Sequence, residues 1–230
     1  MGRLAVIGKL ETLGPPPPTG RDTARSPLGV FDRGASVTVY RHGLETYVPA
    51  HAVDYAAHLR ALRELGCDRV LGLSSVGSLH PELPVGSFVV PDDFIAYVQP
   101  PVVADSASQH VVPGFTPAWR AALLDAWRDV AGEPVVDGGV YWQSNGPRFE
   151  TRAEIRLAAA AADVVGMTLA SECVAANQVG LAYAGVCVVD NLANGIAGEA
   201  LTIEAYERGA AANAARLRAN LDKLLPVLAS

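Results

Sequence analysis

Short apolar runs alternate along this chain with longer segments whose apolar residues recur at helical spacing. The short runs predict buried strands, over residues 4–8, 70–74, 86–91, 135–142, 163–166 and 182–189. The periodic segments predict helices, over residues 51–66, 117–131 and 171–179, with a last helix from near Thr202 that ends at Pro226. Residues 29–41 alternate and predict a hairpin that turns near Asp32-Arg33-Gly34.

Two stretches lack any period and are predicted to be loops. Residues 13–28 contain four consecutive prolines, Pro15 to Pro18, which favour an exposed loop with polyproline II character. Residues 98–115 form a second long loop, and loops of that length are usually functional or disordered. The segment Thr151-Arg152-Ala153-Glu154 is a capping box and predicts a helix beginning at Thr151.

The strands and helices alternate with no break in composition. This order predicts an α/β fold in which residues 1–230 form a single three-layer domain, a central mixed sheet flanked by helices. Ligands of such sheets bind beyond the carboxyl ends of the strands. Polar residues that follow predicted strands are therefore the first candidates for function.

Composition narrows the class of protein. Half of the 230 residues are hydrophobic and 18% are charged, which excludes a disordered chain. The net charge of −6 argues against nucleic acid or an anionic membrane as partner, so an anion would need a local pocket. Cys67, Cys173 and Cys187 have no CxxC spacing, so neither a metal site nor a disulfide framework is expected. With no signal peptide or apolar span, the expected location is cytoplasmic.

Five polar clusters follow predicted strands and together suggest a site for an anion and a polar heterocycle. Arginine offers phosphate a planar fork of donors, and small serines with glycine let backbone amides approach the same anion. An aromatic ring could stack on a base, while carboxylate and amide groups could hydrogen-bond to its edge. The clusters are Arg41-His42-Gly43, Ser74 to Ser78, Asn145 to Glu150, Gly166-Met167-Thr168, and Asp190-Asn191.

Each cluster also has a structural interpretation. The Ser74 to Ser78 segment has the composition of a turn, and Arg41-His42 could form a surface ion pair. Glu150 could do no more than place a negative charge at the start of the helix that Thr151 caps, where the helix dipole favours it. Phe149 could be a core residue. The functional hypothesis depends on all five clusters meeting in space.

The order of these motifs resembles the trimeric purine nucleoside phosphorylase family, in its methylthioadenosine and methylthioinosine phosphorylase branch. The resemblance spans residues 4–225 and is carried by the segments RHGLETYVPAHAVDY, LSSVGSL, GPRFETRAEI, VVGMT and VCVVDNLANGI. It implies phosphorolysis: phosphate attacks the anomeric carbon of a purine nucleoside, releasing free base and a pentose 1-phosphate. Inorganic phosphate is then a co-substrate, with no cofactor, metal or covalent intermediate, and the chain forms a homotrimer or a dimer of trimers.

The resemblance also assigns roles by position. Arg41, His42, Ser74, Ser75 and Thr168 would hold phosphate. Phe149, Glu150, Met167, Asp190, Asn191 and Gly77 would contact the nucleoside, with Asn191 and Glu150 as the catalytic residues at the base. His110, in the long loop, would be lent to the active site of a neighbouring subunit.

Several positions depart from the family pattern. Leu10 replaces the hydroxyl of the family's Gly-rich phosphate loop, although Lys9 could supply a different positive group. Thr46 stands where the family has a histidine after the RHG motif, Asp54 where it has an asparagine, and Asp190 where relatives usually have threonine.

The base-reading position favours a 6-oxopurine. Asn191 falls where the adenine branch carries aspartate, and that branch's second aspartate is Ala193 here. An asparagine amide can donate to O6, while Glu150 could accept from N1–H. The alternatives are an adenine-specific methylthioadenosine phosphorylase, and a nucleoside hydrolase or binding protein with a weakened phosphate site.

Overall fold

The computed structural model describes residues 2–16, 21–22, 29–32, 36–103, 110–198 and 200–230. Within these ranges eleven strands form one mixed sheet. The strands are β1 (Arg3–Gly8), β2 (Arg21–Asp22), β3 (Val30–Asp32), β4 (Ser36–Tyr40), β5 (Cys67–Ser78), β6 (Phe88–Val90), β7 (Asp93–Ala96), β8 (Val136–Asp137), β9 (Val140–Gln143), β10 (Val164–Gly166) and β11 (Ala182–Leu192). The helices are α1 (Leu10–Leu13), α2 (Tyr55–Glu64), α3 (Pro117–Val130), α4 (Arg152–Ala159), α5 (Leu169–Gln178) and α6 (Ile203–Leu228).

Strand β5 is the branch point of the sheet. Its first half pairs in parallel with β1, and its last two residues, Gly77 and Ser78, pair antiparallel with β10. Along its other edge it pairs with β11 from Arg69 to Ser78. Because β5 holds three neighbours, its carboxyl-terminal half lies where both arms of the sheet meet.

Helices cover both faces of the sheet, which confirms the predicted three-layer α/β fold. One hydrophobic cluster packs α2 and α5 on the sheet through residues such as Leu59, Leu62 and Leu169. The other packs α3 and α6 on the opposite face through residues such as Trp127 and Leu221. No helix of the described residues is long and apolar enough to cross a membrane.

Several boundaries differ from the sequence prediction. Helix α2 starts at Tyr55 rather than at residue 51, because the Asp54 side chain accepts from the Ala57 amide and caps the helix. The predicted strand 135–142 is two strands, β8 and β9, separated by Gly138 and Gly139, whose φ angles are both 108°. Pro226 does not end α6, which continues to the buried Leu228.

The two loop predictions have different outcomes. Helix α1 and strand β2 fall within or beside the predicted loop 13–28, of which 17–20 and 23–28 lie outside the described residues. Residues 98–103 and 110–115 contain no strand or helix, and 104–109 lie outside the described residues. Strands β3 and β4 pair antiparallel as the hairpin prediction requires, although its turn at 33–35 is also undescribed.

Candidate active site

A cavity of about 150 Å³ opens at the carboxyl ends of β4, β5, β10 and β11. The expectation that ligands bind beyond the carboxyl ends of the strands therefore located the cavity. Two of the five polar clusters, however, lie within strands and not after them. Ser74 to Ser78 lies inside β5, and Asp190-Asn191 lies inside β11. The predicted residues that line the cavity are Arg41, His42, Ser74, Ser75, Gly77, Phe149, Glu150, Met167, Thr168 and Asn191.

Arg41 follows β4 and supplies a buried cation to the cavity wall. Its Nε donates to the Glu172 carboxylate of α5, and its Nη1 donates to the Leu73 carbonyl at 3.0 Å. Burial is the largest single influence and lowers the pKa of Arg41, but the charge of Glu172, the hydrogen bond to Glu172 and smaller contributions from Tyr183 and Tyr55 together raise the pKa above its ordinary value. The third nitrogen, Nη2, is buried and has no hydrogen-bond partner among the described residues. A buried unpaired donor of this kind is costly unless a ligand accepts from it.

His42 presents a neutral ring to the same wall. Its Nδ1 lies 2.8 Å from the Val48 carbonyl, which only accepts, so Nδ1 carries the proton. Burial, and then the charge of Arg41, lower the pKa of His42 below its ordinary value. The ring is therefore neutral at neutral pH, and Nε2 is an acceptor. Tyr47 stacks on this ring at 5.3 Å between centroids.

Thr168 stands at the start of α5 with its hydroxyl uncommitted to the helix. The Tyr141 hydroxyl accepts from the Thr168 amide at 3.0 Å and from the Leu169 amide at 3.4 Å. The Thr168 side chain forms no cap of its own. Tyr141 thus satisfies the first amides of the helix, and the buried Thr168 hydroxyl is available to a ligand in the cavity.

Glu150 and Asn191 are both nearly buried and form the other side of the cavity. The Ser144 hydroxyl donates to Glu150 Oε1, and no donor among the described residues reaches Oε2. Asn191 Nδ2 donates to the Leu192 carbonyl at 2.9 Å, which leaves its second hydrogen and Oδ1 for a ligand. Phe149 lies beside them, edge-on to Tyr206 at 5.7 Å between centroids.

The structure corrects the prediction that Asp190 contacts the nucleoside. Strand β11 has a bulge here, since Val189 pairs with Val76 but Asn191 pairs with Gly77. The bulge leaves Asp190 unpaired and gives Asn191 to the cavity. Asp190 is 2% exposed and does not line the cavity. Its carboxylate accepts from the hydroxyl of Ser75 and from the amide of Asn213.

His110 lies outside this cavity in the single chain. It is exposed and borders a separate hollow between β7, α5 and the segments around Pro100 and Pro113. Its predicted role in a neighbouring subunit requires a second chain and stays a prediction.

Lys9, expected from the sequence as a different positive group at the phosphate loop, follows β1 and lines the cavity. Sequence reasoning missed Tyr206, because this residue reaches the cavity only through the return of α6 across the sheet. Lys9 Nζ lies 3.5 Å from the Tyr206 hydroxyl and 5.6 Å from its ring centre. Further unpredicted lining residues are Thr12, Tyr47 and Leu201.

Thr46, Asp54 and Leu10 do not line the cavity. Leu10, which occupies the position of the family's phosphate-loop hydroxyl, is 39% exposed and supplies no donor to this site. Among the described residues there is also no group of three or more His, Cys, Asp or Glu side chains that could hold a metal ion.

The chain is similar in sequence to known nucleoside phosphorylases. The chain is 38% identical over 179 residues to a probable 6-oxopurine nucleoside phosphorylase of Archaeoglobus fulgidus, covering 78% of this chain and 74% of the relative. It is 41% identical over 177 residues to a probable S-methyl-5'-thioinosine phosphorylase of Methanosarcina acetivorans, covering 75% and 67%.

A solved structure shares the fold. Methylthioadenosine phosphorylase from Schistosoma mansoni, in complex with adenine, superposes with a TM-score of 0.80 at 23% identity, covering 97% of this chain and 91% of that one. The pattern that defines the phosphorylase superfamily matches residues 9–226. Since that match covers nearly the whole chain, including ten of the eleven described strands and the residues that line the cavity, this chain belongs to the phosphorylase superfamily.

Proposed function

We propose that this protein is a purine nucleoside phosphorylase that prefers 6-oxopurines. A phosphate oxygen attacks the anomeric carbon, and the bond from that carbon to purine N9 breaks. The electron pair of this bond leaves with the purine, which takes a proton, and the sugar leaves as a pentose 1-phosphate. The reaction needs inorganic phosphate as co-substrate and no other cofactor.

The unpaired Nη2 of Arg41 carries this proposal. A buried guanidinium that already satisfies Glu172 and the Leu73 carbonyl still keeps one nitrogen without a partner in the part of the chain that the structure describes. Phosphate accepts from such a donor, and the Thr168 hydroxyl borders the same cavity. A phosphate fixed there would be positioned for attack, which supplies much of the rate enhancement without covalent chemistry.

The opposite side of the cavity supports a 6-oxopurine base. The free Oε2 of Glu150 would accept from N1–H of hypoxanthine or guanine, whereas adenine presents a lone pair at N1 and would be repelled. Asn191 would donate to the base at O6 or N7, where negative charge grows as the bond breaks. Two relatives with names of this class, from Archaeoglobus fulgidus and Methanosarcina acetivorans, support the same preference.

Adenine specificity is the second candidate. A relative from Thermococcus kodakarensis that is 34% identical over 179 residues is named S-methyl-5'-thioadenosine phosphorylase. Water as acceptor is a third candidate, because Leu10 provides no hydroxyl where the family binds phosphate. The sugar's 5' group is expected to be hydroxyl or methylthio.

The proposed enzyme works as a homotrimer, or a dimer of trimers, in the cytoplasm. The exposed position of His110 supports the trimer, since a residue lent to a neighbour must project from its own subunit. Cys67, Cys173 and Cys187 are all free, which supports a reducing compartment.

A substrate panel tests the proposal directly. Inosine, guanosine and adenosine, with their 5'-methylthio forms, are each incubated with enzyme in the presence and absence of phosphate, and free base is followed. Phosphate-dependent release with a preference for 6-oxo substrates is the expected result. Equal release without phosphate would establish a hydrolase, and a preference for adenine forms would establish the second candidate.

A further inference from the structure

Asp190 is a buried carboxylate that forms no ion pair with a cation of the described residues. It is 2% exposed. Its neighbours are neutral hydrogen-bond donors, Ser75 and Asn213. Such a group is expensive to bury, so its position behind the cavity wall calls for a function.

The hydrogen-bond directions around Asp190 are fixed by its surroundings. Arg216 Nη1, which can only donate, lies 3.1 Å from Asn213 Oδ1 and therefore sets the orientation of that amide. Asn213 Nδ2 then donates to Asp190 Oδ1 at 3.0 Å and to the Val189 carbonyl at 3.1 Å. The other oxygen of Asp190, Oδ2, is left to accept from the Ser75 hydroxyl.

This arrangement decides what Ser75 can offer to the cavity it lines. A serine hydroxyl has one hydrogen and two lone pairs. The hydrogen of Ser75 is committed to the Asp190 carboxylate, so toward a ligand the hydroxyl is only an acceptor. Ser75 therefore does not donate to an unprotonated phosphate oxygen, contrary to what its position in the family pattern suggests.

Ser75 also lies close to the cation of the site. The Leu73 carbonyl, two residues before Ser75, accepts from Arg41 Nη1 at 3.0 Å. An anion that accepts from Arg41 Nη2 would thus lie beside the Ser74-Ser75 segment, which lines the same cavity. Building on the proposed function, we infer that Asp190, acting through Ser75, makes the anion site select an anion that carries a hydrogen.

Simple acid–base chemistry gives the consequence. Hydrogen phosphate and hydrogen arsenate carry an O–H group at neutral pH and can donate to Ser75. Sulfate carries no hydrogen, so its oxygen would face the lone pairs of Ser75 and the charge of Asp190 behind them. Repulsion between the lone pairs of a sulfate oxygen and those of Ser75 would therefore select against sulfate. Asp190 is a positioning residue in this arrangement, because it touches no substrate.

Anion binding to the enzyme without nucleoside tests the inference. Thermal-shift titrations at pH 7.5 give Kd values for phosphate, arsenate and sulfate with the wild-type chain and with Asp190→Asn. An asparagine amide at 190 would donate to Ser75 and free the serine hydrogen for the ligand. Asp222→Asn, an exposed position on α6, is the control for the same change in net charge.

We expect wild-type and Asp222→Asn to bind phosphate and arsenate similarly and sulfate about tenfold more weakly, the effect of one lost hydrogen bond to a charged group. Asp190→Asn should lower the ratio of sulfate to phosphate Kd by roughly that factor. Ser75→Ala, which keeps Asp190, should lower it too, and the double variant should add little. Ser75→Ala alone decides the matter if Asp190→Asn does not fold.

The possible failures are distinct. An unchanged sulfate-to-phosphate ratio in Asp190→Asn and Ser75→Ala would overturn the inference and leave the phosphorylase proposal intact. Selective anion binding without phosphate-dependent base release would support the inference and contradict the proposed function. Binding of none of the three anions would contradict both.

Discussion

At the scale of single residues, the Arg41 side chain has two roles: it stabilises the fold and it forms part of the candidate anion site. Its Nε holds α5 through Glu172, its Nη2 has no partner among the described residues, and the side chain lines the candidate anion site. Removing only the arginine would leave Glu172 as an uncompensated buried charge, which typically costs about 3–5 kcal/mol of stability. A test of the anion contact must therefore neutralise both members of the pair.

The first prediction concerns Arg41→Ala made in a Glu172→Gln background. Relative to Glu172→Gln alone, the KM for phosphate should rise by about one to two decades, because a charge-assisted hydrogen bond contributes roughly 1.5–3 kcal/mol. The KM for nucleoside should change little. The measurement is initial rate against phosphate at saturating nucleoside, and an unchanged phosphate KM would remove Arg41 from the anion site.

A second prediction concerns the base reader. Wild-type enzyme should prefer 6-oxo over 6-amino nucleosides by about 5- to 150-fold in kcat/KM, the effect of one polar group left unpaired in a dry pocket. Asn191→Asp should shrink this ratio, since a protonated aspartic acid can donate to N7 while its other oxygen accepts from N6. Kinetics with methylthioinosine and methylthioadenosine measure the ratio.

The matched control for Asn191→Asp is Asn145→Asp, an exposed position outside the cavity lining. It should leave the ratio unchanged. A wild-type preference for the adenine substrate, or equal ratios in wild-type and Asn191→Asp, would show that Asn191 does not select the base.

Residue patterns predicted most of the site because its polar groups cluster after strands, as in Arg41-His42 and Met167-Thr168. The position of Asp190 could not be predicted in this way, because the bulge in β11 reverses the direction of its side chain and a bulge has no signature in composition. The position of Tyr206 could not be predicted either, since its distance from the cavity depends on how the 26-residue helix α6 packs. Such placements are tertiary, and local sequence does not encode them.

At the scale of elements, α6 lies unusually close to β11. A Cβ atom on Gly209 would stand 1.7 Å from the Asp190 carbonyl oxygen, far inside contact distance. Glycine therefore lets the helix reach the strand at the bulge. The same approach brings Asn213 to Asp190 and Tyr206 to the cavity.

The third prediction is that Gly209→Ala destabilises the protein by about 1–3 kcal/mol, the usual cost of overpacking a tight contact. Its activity should fall as well, because α6 must move away and take Tyr206 with it. Denaturant unfolding and steady-state kinetics check both parts. Gly114→Ala is the control, since a Cβ there meets no atom of the described residues within 4 Å. Wild-type stability in Gly209→Ala would contradict the packing argument.

The elements that the sequence predicted are those with a sustained pattern, such as α3 and the capping box of α4, which the structure confirms. The two-residue β2 and four-residue α1 are too short to establish a period. The far end of β5, Ser74 to Ser78, has the composition of a turn because serine and glycine are typical of turns. There, pairing across the sheet overrides local preference.

At the scale of the whole molecule, one face of the chain exposes apolar side chains beside His110. Val112 is 99% exposed and Tyr97 is 88% exposed, and a hollow lined by residues such as Phe94 and Val174 lies next to them. Exposed apolar groups of this kind are typical of protein interfaces. Their position supports the proposal that a neighbouring subunit covers this face and receives His110.

The fourth prediction tests that shared site by complementation. His110→Ala and Asn191→Ala should each be impaired alone, while mixed trimers would contain some sites with both His110 and Asn191. Exchanging subunits between the two variants should therefore restore activity, with light scattering reporting a trimer or a multiple of it. Each variant taken alone through the same exchange is the control. An active monomer, or no recovery on mixing, would rule out the shared site.

The branch at β5 has a consequence for motion. Val70 to Gly72 of this strand pair with β1 on one edge and with β11 on the other, so their amides cannot open without breaking the centre of the sheet. We expect the amide hydrogens of Val70 to Gly72 to exchange with solvent only through global unfolding, and hydrogen–deuterium exchange would show them among the slowest in the chain. The strand that carries the floor of the site is then anchored in the most stable part of the protein. Substrates must enter by movement of the outer segments, such as residues 43–49, whose exchange should be faster by orders of magnitude.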